Sequence, residues 1–321
     1  MMTKRQLTIL LVLASFFLFA CNFFFPENDP STSKTYEDNE YAEEEGYDEY
    51  LTEIAKEDPS NDTPVLSIES IPEGAHPAFD VFEQYINIFG VSIYASADIS
   101  AEKFLHAAGV MAQYLDNNED GQADDPAIIQ ALNAKDATLF MFSRPDSRDE
   151  QNFIDGIEKL LDNDELSLQP LYGEETVPNG AARGEFDASL EEILHLITNT
   201  GYAHAYPDIF GEERGSAIAS AMDEARGGYF KNVPNSYPEG AWYTYDDETC
   251  DYACMISEYH YWALTSLLGA QDFSGRGDEI DHEWKLNTPE KLRDGDPNTY
   301  ALLTDPHYHN PTVLPDGNYS P

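Results

Sequence analysis

The chain has 321 residues, with 61 acidic against 17 basic side chains and a formal net charge of −44. Binding nucleic acid by phosphate neutralisation is excluded and a basic face for anionic lipid is disfavoured, because both need positive surface. A hydrophobic share of 41%, with 20 Tyr and 17 Phe, supplies a sizeable core, while 3 Cys are too few for a disulfide scaffold or a cysteine-rich zinc module.

Lys4 and Arg5 precede an apolar run of 13 residues, Leu7 to Phe19, too short to span a bilayer as a helix. The run ends Leu18-Phe19-Ala20-Cys21. This resembles the lipobox of bacterial lipoproteins, with Phe19 bulkier than the usual residue. The resemblance implies a signal peptide over 1–20, lipidation of Cys21, and a membrane partner reached through two or more acyl chains. Asn22 is not the Asp that often marks inner-membrane retention, so the implied location is the bacterial cell envelope, at the outer membrane or cell surface. An ordinary signal peptide or an uncleaved anchor is the alternative. Residues 22–62 carry 14 acidic side chains against 2 Lys and read as an extended, disordered tether, placed at 21–63 once the lipidated Cys is included.

The remainder, 64–321, reads as a single globular domain. Phe79, Phe82, Tyr85, Ile86 and Phe89 have helical spacing, which predicts a helix over 78–89 ended by Gly90. Val91–Ala95 is short and β-branched, hence a strand. Ser100 caps a longer helix to Leu115, and Pro126 opens a short one to Ala134. Ala137–Phe142 reads as a buried strand, 148–161 as an amphipathic helix, and Leu168–Gly173 as an edge strand, where Pro170 is tolerable. Helices are expected over about 186–200, 214–226 and 248–269, then a turn-rich tail. The order predicts an α+β fold: a small mixed sheet with a backing helix, then a mostly helical C-terminal half.

Three stretches carry candidate chemistry. In 116–125, Asp116, Asn118, Asp120 and Asp124 occupy loop positions 1, 3, 5 and 9, Gly121 the sharp turn and Gln122 the carbonyl position. The spacing matches a DxDxDG calcium loop and resembles EF-hand-like and thrombospondin-type loops, although Ala127 stands where the bidentate Glu belongs. A polar turn ending the helix is the alternative. In 191–195 (EEILH), Glu191 and His195 are one turn apart on one helix face. That is the geometry by which HExxH holds zinc, with a Glu between the ligands to activate water. The pentapeptide by itself is better explained by a core histidine beside an exposed acidic edge. In 250–263, Cys250 and Cys254, at helical i, i+4 spacing, are within disulfide reach, and Glu258 lies on the shoulder of an apolar stripe.

The order backing helix, strand, edge strand, ExxH helix and Glu-bearing helix resembles the core of zincin metallopeptidases, in the gluzincin arrangement. Ser257-Glu258-Tyr259-His260-Tyr261-Trp262-Ala263 is similar to the glutamate helix of the lethal-factor-like branch. The resemblance implies Glu192 as base, His195 and Glu258 as zinc ligands, and Glu191, where the family has His, as a weak ligand or a mark of lost catalysis. His204 is a lesser candidate: Gly201-x-x-His204 is similar to the metzincin extension, with three extra residues before the Gly. The function implied is an envelope-anchored lipoprotein with a zincin-like, variant or inactive peptidase domain stabilised by calcium. The other class of answer is a non-catalytic calcium-binding lipoprotein that holds a protein, peptide or glycan. A di-metal site using Glu279 and His282 carries least weight, since no long helix supports them.

Overall fold

The computed structural model describes residues 63–157 and 166–321. The signal peptide, Cys21 and the tether through residue 62 lie outside the described residues, as do residues 158–161 of the expected amphipathic helix.

Four strands form one mixed sheet in the order β1-β2-β3-β4: β1 is Gln84–Ile88, β2 Val91–Ala95, β3 Thr138–Phe142 and β4 Leu168–Tyr172. β1 runs antiparallel to β2, while β2, β3 and β4 are mutually parallel neighbours. β4 stands at the edge with Pro170 opposite Phe140, as a strand residue lacking an N–H requires. Between β2 and β3 run α1 (Ala101–Leu115), capped by Ser100, and α2 (Pro126–Ala134), capped by Asp125. α3 (Arg148–Ile157) connects toward β4.

The helix expected over 78–89 is not formed. A short 3-10 turn, Pro77–Val81, leads directly into β1. The helical spacing of Phe79, Phe82 and Phe89 is real but serves two different elements. Ile86 and Ile88 favour a strand, and Phe89 and Gly90 (φ +50° and +90°) close a two-residue hairpin that pairs Ile88 with Val91. Gly90 thus turns the chain rather than stopping a helix. A Cβ there would lie 2.3 Å from Asn133 Oδ1, on the side chain that donates to the Phe89 carbonyl. Gly90→Ala is therefore expected to cost about 1–3 kcal/mol, read as a lowered melting temperature. An unchanged melt would contradict the turn.

Strand alternation divides the core. Ile93, Leu139, Met141 and Leu171 face the main core, with α1 behind them. Tyr94, Phe140, Phe142 and Tyr172 face the other way, into an aromatic cluster with Phe79, Phe82 and Phe153. Six ring pairs within that cluster lie between 4.6 and 5.6 Å, spacings that favour tilted and edge-on contacts. Glu150 is buried there and accepts from the Tyr172 hydroxyl at 2.6 Å.

The second half is helical: α4 (Ser189–Leu196), α5 (Ala217–Ala225) and α6 (Tyr252–Leu267), then short helices including Pro289–Gly295 and Pro297–Leu303. α4 lies on β4 and against α1 and α6. Cys250 and Cys254 form a disulfide with a Cα–Cα distance of 5.4 Å. The helical i, i+4 setting expected for them is corrected: Cys250 precedes the helix, because Asp251 caps it by accepting from the Cys254 amide. The C-terminal segment returns to α1, where Gln113 Oε1 accepts from the amides of Asp316 and Gly317.

Candidate metal centre

α4 is placed from both ends. At its start Asp187 Oδ1 accepts from the amides of Ser189 and Val177, and Oδ2 meets His106 Nε2 of α1 at 2.7 Å. Tyr114, also on α1, donates to the Leu190 carbonyl at 2.9 Å. At its end the helix widens into a π-turn, Ile197–Tyr202, before a last short α-turn, Ala203–Ala205. Thr198 Oγ1 donates to the carbonyls of Leu194 and His195, so a side chain interrupts the ladder there. Such π-turns recur at functional sites. α6 is fixed by Tyr243, which donates to the Met255 carbonyl, and by Ser257, which donates to Glu212.

These anchors bring Glu191, His195 and Glu258 together. One ligand atom from each lies within 4.8 Å of the others. His195 Nε2 is 3.8 Å from Glu191 Oε1 and 3.6 Å from Glu258 Oε1. Both separations are too long for hydrogen bonds. They are close to the ~3.4 Å between ligand atoms of a tetrahedral ion with bonds of about 2.1 Å. Both nitrogens of this imidazole, 1% exposed, lack a hydrogen-bond partner among the described residues. A buried ring without partners is costly unless a cation or a proton engages it. Glu191, 22% exposed, gives the group its side toward solvent. Burial pushes the His195 pKa down, but the charges of Glu258, Glu191 and Glu192 outweigh it and hold the ring at about 9. Three carboxylates around one imidazole form a site built for positive charge. Among the described residues no other group of three His, Cys, Asp or Glu side chains draws its ligand atoms so close.

Glu192, the expected base, stands beside this group rather than in it. Its Oε2 accepts from Gln169 Nε2 of β4 at 2.6 Å. Burial and the neighbouring charge of Glu191 raise its pKa well above the ordinary carboxylate value.

His204 is exposed and outside the group, because the π-turn and the residues before it rotate it away. Glu279 sits on a single helical turn, paired with Arg276, and His282 is largely exposed, so no second ExxH helix forms. The 116–125 segment turns sharply at Glu119 and Gly121, whose φ angles are +54° and +84°. Its carboxylates take donors from the chain itself. Asp116 accepts from the amides of Asp120 and Gly121 and from the Tyr319 hydroxyl. Asp124 accepts from the Asn117 amide and the Asn118 side chain, and Asp120 from the Gln122 amide.

Several neighbours of the centre were not legible in the sequence. Gln169 is a polar residue on a buried strand, and that is the signal that singles it out. Glu212, Asn199 and Ser257 form a polar cluster behind α4: the acceptors around Asn199 turn its amide nitrogen toward Glu212 Oε1 at 2.9 Å and the His195 carbonyl at 3.2 Å. Burial raises the Glu212 pKa to about 7. His260 is stacked on Phe210, and burial, then the charge of His195, lowers it to about 3. Glu283, partly buried and close enough to feel Glu191, is likewise raised to about 7. No family model, curated protein or solved structure matches the chain.

Proposed function

We propose that 64–321 is a zincin-like metal-binding domain carried by an envelope lipoprotein, with Glu191, His195 and Glu258 as ligands and Glu192 as the base. The supporting observation is the convergence of three ligand atoms within 4.8 Å around a buried imidazole whose nitrogens have no hydrogen-bond partner among the described residues. Zinc prefers nitrogen and sulfur donors, and this set holds one nitrogen and two carboxylates. Metal binding is therefore weaker than at a two-histidine site, and peptide hydrolysis at neutral pH is weak or absent. The test is metal analysis of the purified full chain. About one equivalent of zinc, lost in His195→Ala and Glu258→Ala, supports the reading; a chain that takes up no divalent transition metal defeats it. The anchor through Cys21 rests on the sequence motif; among the described residues no helix is long and apolar enough to cross a membrane.

Calcium at 116–125 is the second part of the proposal, supported by donor spacing and the sharp turn at Gly121. Asp116 accepts the Asp120 and Gly121 amides and the Tyr319 hydroxyl, and its carboxylate keeps a lone pair with which it would meet the ion. Calcium is then expected to raise the melting temperature by mass action on the native state, and Asp120→Ala is expected to remove that rise. No calcium-dependent shift, or an equal shift in the variant, rejects the site and with it the alternative of a calcium-dependent binding lipoprotein.

A further inference from the structure

Glu191 and Glu192 are consecutive, and both lie within one helical turn of His195, at i−4 and i−3. On spacing alone either carboxylate reaches a cation held by the imidazole. The structure separates them. Glu191 turns toward His195, and its oxygen joins the close group with Glu258. Glu192 turns toward the sheet edge and accepts from Gln169 Nε2 at 2.6 Å, leaving its own oxygens outside that group.

Gln169 is placed for this by strand alternation. It shares a face of β4 with Leu171, the face that meets the main core and on which α4 lies. It is 3% exposed, and its neighbour Pro170 sits opposite Phe140, which fixes the register. An amide nitrogen can only donate, and a buried carboxylate deprived of its donor bears a large desolvation cost. The Gln169 amide is thus a fixed anchor for a carboxyl group that would otherwise be free to turn toward a cation held by His195.

We propose that Gln169 is a positioning residue that keeps Glu192 out of the coordination set, so that Glu191 ligates and Glu192 stays free to act on substrate. The inference rests on the metal-site reading above. It predicts two effects of opposite sign when the donor is removed without loss of volume. A merely structural residue would weaken stability and metal binding together.

The test uses the full chain and Gln169→Met, with zinc and cobalt(II) as the only probes. In EDTA the variant is expected to melt below the wild type. With metal it is expected to bind zinc at least tenfold more tightly, with an altered visible spectrum for cobalt as Glu192 joins the ligands. In the Glu192→Gln background the same substitution should change zinc affinity less than twofold. Equal or weaker zinc binding by Gln169→Met, with an unchanged cobalt spectrum, overturns the proposal. If that variant does not fold, the ranking of single variants decides: Glu191→Gln should lose at least a hundredfold in zinc affinity and Glu192→Gln less than threefold, and the reverse order overturns it. A wild type that binds neither metal defeats the metal reading itself. Metal bound with the ranking reversed exchanges the roles of Glu191 and Glu192 and defeats the role of Gln169, while the metal site at His195 and Glu258 stands.

Discussion

Glu191→His is expected to tighten zinc binding at least tenfold, about 1.4 kcal/mol or more, and to raise peptide hydrolysis above that of the natural chain. The imidazole would enter at the same helical position, one turn before His195, with Glu258 already 3.6 Å from the His195 ring. Two changes then act together. The donor set becomes two nitrogens and one carboxylate, which zinc prefers. One negative charge is also removed beside the cation, so its field is less offset and it polarises a substrate more strongly. Glu192, held by Gln169, remains beside the site as the proposed base. The checks are competition titration with a zinc chelator and a general peptidase assay, each run in parallel with Glu191→His/Glu192→Gln. Hydrolysis that persists without Glu192 points to a contaminating enzyme. Zinc affinity unchanged by the added histidine removes Glu191 from the ligand set.

The sequence carried the long-range part of this site better than the local part. Glu258 is 63 residues beyond His195, and it was the resemblance of 257–263 to a gluzincin glutamate helix that nominated it, since its position on an apolar stripe by itself reads as an exposed Glu. The α+β order, the buried strand β3 and the edge position of β4 were also legible, because hydrophobic runs and a tolerated proline report burial and register directly. Misread was the segment 78–89, where aromatic spacing matched a helix although Phe79 and Phe82 pack in the aromatic cluster on one face of the sheet and Phe89, in the hairpin turn, joins the main core on the other. Gln169, Asn199 and Glu212 were invisible for another reason. Their roles depend on hydrogen bonds between segments 13 to 58 residues apart, and no periodicity encodes such pairings. The π-turn at 197–202 was likewise missed, since Thr198 diverts the ladder by a side-chain bond that propensity does not register.

Raising the pH is expected to destabilise the metal-free protein steadily, and zinc is expected to reverse that trend. His195 has a folded pKa of about 9, above its ordinary value of 6.5. Between those values the folded state holds the proton more strongly than the unfolded chain, so stability is full below about pH 6.5 and declines as pH rises toward 9. The integrated loss for a difference of that size is about 3 kcal/mol. Glu212 and Glu283, both raised from 4.5 to about 7 by burial, act with the same sign at lower pH. Their neutral forms suit the folded state, so stability falls from about pH 4.5 to 7. A divalent ion takes the neutral imidazole, so proton competition fades as pH rises. The zinc-induced rise in melting temperature should therefore be larger at pH 8 than at pH 6. Glu212→Gln should flatten the lower limb of the metal-free profile and leave the upper limb in place. A metal-free protein that grows more stable from pH 5 to 8.5 would show that His195 is not held as a cation by Glu191, Glu192 and Glu258. A zinc effect equal at both pH values would place the ion away from that ring.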